Sequence, residues 1–343
     1  MRKLLNTLYV TAPESYLAKD GENVVVLVGE EALGRIPIHN LESIVHFGYT
    51  GASPALMGLC AERGVALNFC TEHGRFLARV SGRVSGNVLL RRRQYRMADD
   101  EAACLQIALA LVLGKVLNQR TVLQRAMRDH AKKMLNTAVP MAIKQLGRIG
   151  IDVSKATSLS VLRGLEGEAA QVYFGVVDNL ILENKDTFYM TTRNRRPPQD
   201  PFNAVLSFLY TLLANDVAAA LETVGLDPAV GFLHRDRPGR SSLALDVMEE
   251  LRAYLADRLA LSLVNRKQLG KRDFTYRESG AVYLDDSGRK KVIEAWQARK
   301  RETIQHPFLQ ERIEIGLLPF VQSLLLARYI RGDLDAYPPF VFK

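Results

Sequence analysis

Cysteine is scarce in this chain: Cys60, Cys70 and Cys104 are the only three, odd in number, set in apolar surroundings and without a CxxC pair. That excludes a disulfide scaffold and a thiolate-rich zinc site, and leads us to expect reduced core residues in a reducing compartment. No export signal is expected either, because the N-terminus shows no long apolar run followed by a small-residue cleavage site. The longest mostly apolar stretch, Leu105 to Leu117, is interrupted by Gln106 and Lys115 and is shorter than a bilayer requires. A cytoplasmic protein with no membrane association is therefore expected. There is no low-complexity tract and no repeat at solenoid periods. Acidic residues are in deficit, 37 Asp and Glu against 46 Lys and Arg, leaving a formal charge of +9. An excess of cationic surface attracts polyanions by Coulomb steering and counterion release, so nucleic acid leads the list of partners.

The cations are grouped at Arg91, Arg92, Arg93 and Arg96, at Arg193, Arg195 and Arg196, at Arg235, Arg237 and Arg240, and at Arg266, Lys267, Lys271 and Arg272. Four separate groups within ordinary-complexity sequence suit a long groove on a folded surface better than one disordered arm. A chain of 343 residues, 48% of them hydrophobic, is long enough for two cores.

Short apolar runs separated by turn signals occupy the first 80 or so residues: Leu4 to Val10, Ser15 to Lys19, Val24 to Val28, Gly34 to His39, Ser43 to Phe47, Val65 to Cys70 and Arg75 to Val80. These predict strands, with Asp20-Gly21 as a hairpin turn. Ser53-Pro54 opens one helix, which Gly64 ends. From about Val88 the hydrophobic period changes to 3.6 residues and the rest reads as helical, apart from a Pro-rich break at Asn194 to Pro201 and an irregular segment, Thr275 to Gly288. In that segment Ala281 to Leu284 is extended and Asp285 to Gly288 a turn. The expected class is α+β in two domains, a small N-terminal β domain (1–85) and a larger all-α domain (86–343).

Three segments of the helical half can carry chemistry. The amphipathic stretch Ser158 to Leu182 places Glu166 on the face of Leu159, Leu162, Ala169 and Tyr173. A carboxylate there needs a cation or an arginine such as Arg163, because uncompensated burial of charge is costly. Gly164 and Gly167 flank it although each costs about 1 kcal/mol relative to Ala in a helix, which suggests close approach of a backbone or a ligand. The second segment, Gly231-Phe232-Leu233-His234, leads into the loop Arg235-Asp236-Arg237-Pro238-Gly239-Arg240, where a histidine would meet a phosphate held by arginines. In the third, capped by Ser241 or Ser242, Asp246 and Glu249 are helical neighbours that repel unless a cation or Arg252 lies between them; Glu250 reads as solvated. One imidazole with several carboxylates suits Mg²⁺ or Mn²⁺, and such an ion supports phosphodiester chemistry.

In order and spacing, Leu162-Arg163-Gly164-Leu165-Glu166-Gly167, Gly231-Phe232-Leu233-His234 and Leu245-Asp246-Val247-Met248-Glu249-Glu250-Leu251-Arg252 resemble the signature of the CRISPR-associated spacer-acquisition integrases. The resemblance covers almost the whole chain, including the Asp200-Pro201-Phe202-Asn203-Ala204 helix start. It implies that Glu166, His234 and Glu249 bind the metal with Asp246 in support, although the variable loop after His234 leaves open which of Asp246, Glu249 and Glu250 makes the direct bond. It further implies attack by the 3′-hydroxyl of a short DNA fragment on a phosphodiester at a CRISPR repeat, with no cofactor beyond the metal. The implied partners are double-stranded DNA, a second copy of the chain paired through the β domain, and a small adaptation subunit bridging two dimers. Arg91, Arg92, Arg93, Arg195, Arg196, Arg235, Arg237 and Arg240 are assigned to phosphate contacts on charge and position. A hydrolytic helical metallonuclease and a non-catalytic DNA-binding scaffold are the competing readings.

Overall fold

The computed structural model describes residues 7–12, 14–72, 76–80 and 88–342. In the N-terminal region β1 (Thr7–Val10), β2 (Ser15–Asp20), β3 (Asn23–Val28), β4 (Glu31–Pro37) and β5 (Ser43–Phe47) precede helix α1 (Pro54–Arg63), which is followed by β6 (Ala66–Cys70) and β7 (Phe76–Val80). β2, β3 and β4 form an antiparallel sheet whose first turn uses Gly21 at φ +58°, the left-handed conformation that glycine tolerates. The second sheet has the order β1-β5-β6-β7, with Thr7 opposite Ser43 and Ser43 opposite Ala66 in parallel, and Leu67 opposite Val80 antiparallel. A parallel β5–β6 pair needs a crossover, and α1 supplies it. Ser53 accepts a hydrogen bond from the Leu56 amide at its start and Gly64 closes it in the left-handed region, both as expected.

Alternation along β5 explains how this region meets the rest of the chain. Ile44 joins Leu17, Val24, Leu56 and Leu67 in a small core, whereas Val45 and Phe47 point the other way into the large helical core, where Phe47 lies 5.8 Å from the Phe208 ring. The mixed sheet is therefore covered on both faces, and its far face is packed by helices. The expected division between 85 and 86, and the strand ends at Leu4 and Arg75, fall outside the described residues.

The helical part runs α2 (Val88–Ala98), α3 (Glu101–Asp129), the single turn α4 (Ala131–Met134), α5 (Val139–Ser154), α6 (Leu159–Val177), α7 (Pro201–Thr223), α8 (Ser242–Arg252) and α9 (Arg258–Asn265), with a π-helical turn at Ala253–Asp257. The hairpin β8 (Phe274–Tyr276) with β9 (Val282–Leu284), helix α10 (Asp286–Arg301), the hairpin β10 (Thr303–Gln305) with β11 (Arg312–Glu314), and helix α11 (Leu318–Arg331) complete it. α3 packs against α5, α6 and α8, which makes it the central strut.

Several local expectations are corrected. β4 starts at Glu31 and gives way at Pro37 to a 3₁₀ turn containing His39. The helix expected to Leu182 ends at Val177, followed by a 3₁₀ turn. Asp285 to Gly288 is the start of α10 rather than a turn, because the Asp285 carboxylate caps the Gly288 amide at 2.7 Å. The β10–β11 hairpin was not expected at all. The apolar stretch Leu105 to Leu117 lies within a 29-residue helix, so α3, like the 23-residue α7, is long and apolar enough to cross a membrane. In each, the apolar window is 50% and 67% buried inside the molecule, respectively, as in the core helices of a folded protein.

Candidate active site

The site is assembled from three helices and one loop. α8 is buried almost all round: Leu243, Ala244, Val247, Met248 and Leu251 fill the core, and Asp246, Glu249 and Glu250 are buried with them. Three buried carboxylates on one turn can persist only if each has its own compensation, and the structure supplies three different kinds.

Asp246 is an anchor. Its Oδ2 accepts the amides of Phe232 (2.6 Å) and Leu233 (3.0 Å), and its Oδ1 accepts the amide of His234 (3.0 Å) and faces the His234 Nδ1 at 2.5 Å. The loop before His234 is thus wrapped around one carboxylate. Gly231 permits the wrap, since a Cβ there would lie 2.8 Å from Asp246 Oδ2 and 2.8 Å from Ser242 Cβ. Arg163 ties α6 to the same loop through the Leu233 carbonyl at 2.9 Å, so it does not pair with Glu166 as one sequence alternative had it. Neither serine caps α8 through its side chain as expected; Ser241 makes no capping bond, and the Ser242 hydroxyl donates to the Arg235 carbonyl at 3.3 Å.

Glu249 is held by cations. Arg252, one turn along, reaches its Oε1 at 2.9 Å, and the ammonium of Lys115 from α3 lies 2.8 Å from its Oε2, off the line of a well-formed hydrogen bond. Burial opposes ionisation of this group, but Arg252, Lys115 and His234 together outweigh it and hold the carboxyl down at about 2. Arg252 is itself braced over the Tyr210 ring, 5.0 Å from the centroid, and Tyr210 and Tyr173 both donate to Asp257, whose carboxyl burial pushes up to about 6 against those bonds.

Glu250 is structural. It was expected to be solvated, but it is fully buried and accepts hydrogen bonds from the Tyr337 hydroxyl, Gln322 Nε2 (2.9 Å) and the Phe340 amide (2.6 Å). Burial pushes its carboxyl up to about 7 despite those bonds. The segment from Tyr337 to Phe342 folds over the face of α8 that amphipathic reasoning assigns to solvent, and Asn118 of α3 pins it through the Phe340 carbonyl at 2.8 Å.

Glu166, half-buried on α6, forms an ion pair with the same Lys115 ammonium. Among the described residues no protein atom lies within 4 Å of the place of a Cβ at either flanking glycine, so of the two expected approaches that of a backbone is not seen, and the space there is left for a ligand. Glu166, His234 and Glu249 are thus brought to one place: the first and third share Lys115, and His234 Nε2 lies 4.0 Å from Glu249 Oε1. They do not form a closed ligand shell, and among the described residues no three His, Cys, Asp or Glu side chains converge on one point. Their chemistry still fits a hard divalent ion. Two carboxylates already enclose a cation, and the imidazole has one nitrogen fixed by a carboxylate and the other turned toward Glu249, the arrangement that orients a metal-binding histidine.

The basic residues divide. Arg195, Arg196, Arg235 and Arg237 are exposed and Arg240 half-buried. Burial and then repulsion from Arg237, Arg195 and Arg196 lower the pKa of Arg240, which places the two arginine loops in one patch, with Asp246 also within electrostatic reach. A shallow cleft of about 570 Å³ lies along the loop from Asp236 to Ser241. Arg92 is exposed, whereas Arg93 donates to the Arg331 carbonyl at 2.9 Å and so serves at least partly to fasten α2 to α11; Arg91 is half-buried. Lys115 was missed as a site residue by sequence reasoning, although a lysine interrupting a long apolar run was its visible signal.

The family model described as CRISPR associated protein Cas1 matches residues 8–298. A protein of Chlorobaculum tepidum named CRISPR-associated endonuclease Cas1 1 is 50% identical over 343 residues, covering all of both chains. One of Rhodospirillum rubrum named CRISPR-associated endonuclease Cas1 2 is 53% identical over 347 residues, again covering both chains completely. Among solved structures, a CAS1 protein from Thermotoga maritima superposes with a TM-score of 0.82 at 21% identity, over 98% of this chain and 100% of that one. A casposase bound to integration product gives 0.83 at 20% identity, over 98% of this chain and 94% of that one. A Cas6-RT-Cas1–Cas2 complex gives 0.84 at 22% identity, over 99% of this chain and 36% of that one. These structural likenesses establish the shared β-then-helical fold, and the full-length relatives establish the kinship: the chain belongs to the Cas1 family of CRISPR-associated endonucleases.

Proposed function

We propose that this chain inserts short DNA fragments into a CRISPR array by metal-dependent transesterification, with Glu166, His234 and Glu249 as ligands for Mg²⁺ or Mn²⁺. The observation that carries the reading is that Lys115 ties Glu166 to Glu249 while His234, oriented by Asp246, lies 4.0 Å from Glu249, beside the patch of Arg195, Arg196, Arg237 and Arg240. When bound, the ion would polarise a phosphoryl oxygen and favour ionisation of the attacking 3′-hydroxyl.

The chain's own residues supply the rest. Asp246 keeps the imidazole in one tautomer and one orientation. Arg252 fixes Glu249 as a charged acceptor, so that its carboxylate is available without a proton having to leave first. The arginine loops grip phosphates without reading bases, as storage of arbitrary sequence requires. Because one phosphodiester replaces another, positioning and charge stabilisation suffice and no energy source is needed.

The name endonuclease on the full-length relatives favours strand cleavage, and the integration product bound to the casposase of like fold favours strand joining. One centre serves both, with water or a 3′-hydroxyl as nucleophile. A Cas1–Cas2 assembly among the structural neighbours supports a small adaptation partner. Pairing of two copies through the N-terminal region is supported by exposed Leu33, Tyr49, Phe76 and Leu77, a large amount of apolar surface to leave in water. Three buried, unpaired cysteines suit a cytoplasmic setting.

The test is strand transfer of a labelled duplex with free 3′-ends into a supercoiled plasmid carrying the repeat, in Mn²⁺ or EDTA. Joining in Mn²⁺ that EDTA and His234→Ala abolish is the expected result. Cutting without joining, even with the adaptation partner present, would replace this reading with hydrolysis. Metal-independent DNA binding with neither activity would leave only a scaffold.

A further inference from the structure

Lys115 is not required by the chemistry just described, yet it sits at the middle of it. It follows Gly114 in a part of α3 where Leu111, Val112 and Val116 are fully buried, and its own side chain is only 5% exposed. An ammonium in such a place forfeits most of its hydration and is retained only where carboxylates replace the water. Two do so, Glu166 from α6 and Glu249 from α8, and they come from two helices that both pack on α3. Lys115 therefore joins three helices at one point. Glu249 has a second cation on its other oxygen, but Glu166 has no ion pair except that with Lys115 among the described residues.

We propose that Lys115 is a positioning residue that acts as an internal counterion: its ammonium holds Glu166 and Glu249 facing each other before the divalent ion arrives, and swings aside when the ion enters between the same carboxylates. The inference rests on Glu166 and Glu249 being metal ligands. It follows from charge and space. A monovalent cation and a divalent one cannot occupy the gap between the same two carboxylates, so the ion must displace the amine and overcome its repulsion. The gain is a site that stays assembled when empty; the cost is weaker metal binding than the ligand set would otherwise give.

Lys115→Met keeps the stem and removes the charge. In EDTA it should melt below the wild type, because half-buried Glu166 then faces buried Glu249 without the cation they share, and only Glu249 keeps another in Arg252. In a calorimetric Mn²⁺ titration it should bind at least tenfold more tightly, and its melting temperature should rise more on adding Mn²⁺. Lys115→Arg, which restores the charge, should return the affinity toward that of the wild type. A side chain that merely fills space would lower the melting temperature equally with and without Mn²⁺ and leave the affinity alone, and that outcome overturns the proposal. Should the Met variant not fold, the wild type provides its own reading: Mn²⁺ should increase reductive methylation of Lys115, followed by mass spectrometry, and unchanged labelling overturns the proposal equally. Wild-type binding lost in Glu166→Ala would show that the metal site stands even if the role of Lys115 falls; no saturable binding by the wild type would sink both.

Discussion

Replacing Asp246 with Asn tests whether the histidine loop is held by a charge or merely by a fold. The carboxylate is fully buried and receives four donors, two on each oxygen: the Phe232 and Leu233 amides on one, the His234 amide and the His234 ring on the other. Asparagine is almost the same size, but only one of its two terminal atoms accepts. Turned one way, its NH₂ faces the Phe232 and Leu233 amides, which cannot bond to it; turned the other, it opposes the His234 amide and can donate to Nδ1 only if the ring takes the tautomer that protonates Nε2, the nitrogen a metal would need. Hydrogen bonds to a charged group contribute roughly 1.5–3 kcal/mol each, so losing one or two removes about 1.5–6 kcal/mol before the loop relaxes. Part of that is recovered as the loop swings toward solvent, and His234 moves with it. We expect urea denaturation in EDTA to show a loss of about 3 kcal/mol, and a Mn²⁺ titration to show affinity falling 10- to 100-fold, the usual effect of removing a carboxylate that orients a metal-binding histidine. An unfolding midpoint equal to that of the wild type, with Mn²⁺ affinity within threefold, would refute the reasoning, because it would mean that neither the wrap nor the ring depends on the charge.

Gly231→Ala attacks the same wrap sterically: the added Cβ meets Asp246 Oδ2 and Ser242 Cβ at 2.8 Å. We expect a destabilisation of about 1–3 kcal/mol by thermal unfolding, with DNA joining reduced as well. Asp257→Asn tests the tyrosine-lined carboxylate that lies behind Arg252. Its folded pKa of about 6 lies above the ordinary 3.8, so its protonated form stabilises the fold fully below pH 4, and that contribution is lost as pH rises through 6. Between pH 8 and pH 5 the wild type should therefore gain about 1.4 kcal/mol relative to the Asn variant, read from paired urea curves, whereas parallel curves would show that the group does not titrate there. Replacing Arg235, Arg237 and Arg240 together by Ala should lower the slope of log affinity for duplex DNA against log salt by about 0.9 for each phosphate no longer neutralised, up to roughly three. An unchanged slope would remove this loop from the DNA path.

Much of this architecture is written in local sequence. The period-two runs, Asp20-Gly21, the Ser53 cap and Gly64 mark the N-terminal strands and helix because each reflects a backbone requirement met within a few residues. Glu166, His234 and Glu249 stand out because charged or polar residues in apolar settings demand partners. What local pattern could not show is which partner arrives from far along the chain. Glu250 looks solvated until the segment from Tyr337 to Phe340, some 90 residues later, covers it. Lys115 looks like a break in an apolar run until α6 and α8 bring carboxylates to it. Gly164 and Gly167 imply a neighbouring backbone or a ligand by their cost within a helix, and among the described residues no backbone is there, which leaves room for a ligand. The β10–β11 hairpin escapes because three-residue strands, largely at the surface, are too short to express a period.

The central claim is that Glu166, His234 and Glu249 share one divalent ion in the gap where Lys115 now lies. Crystals soaked in Mn²⁺ and measured at its absorption edge test it directly. The account predicts one strong anomalous peak within bonding distance of the Glu166 and Glu249 carboxylates and His234 Nε2, with the Lys115 amine withdrawn from between them. A peak elsewhere, or Lys115 still joined to both carboxylates with no anomalous density beside it at saturating Mn²⁺, would contradict it.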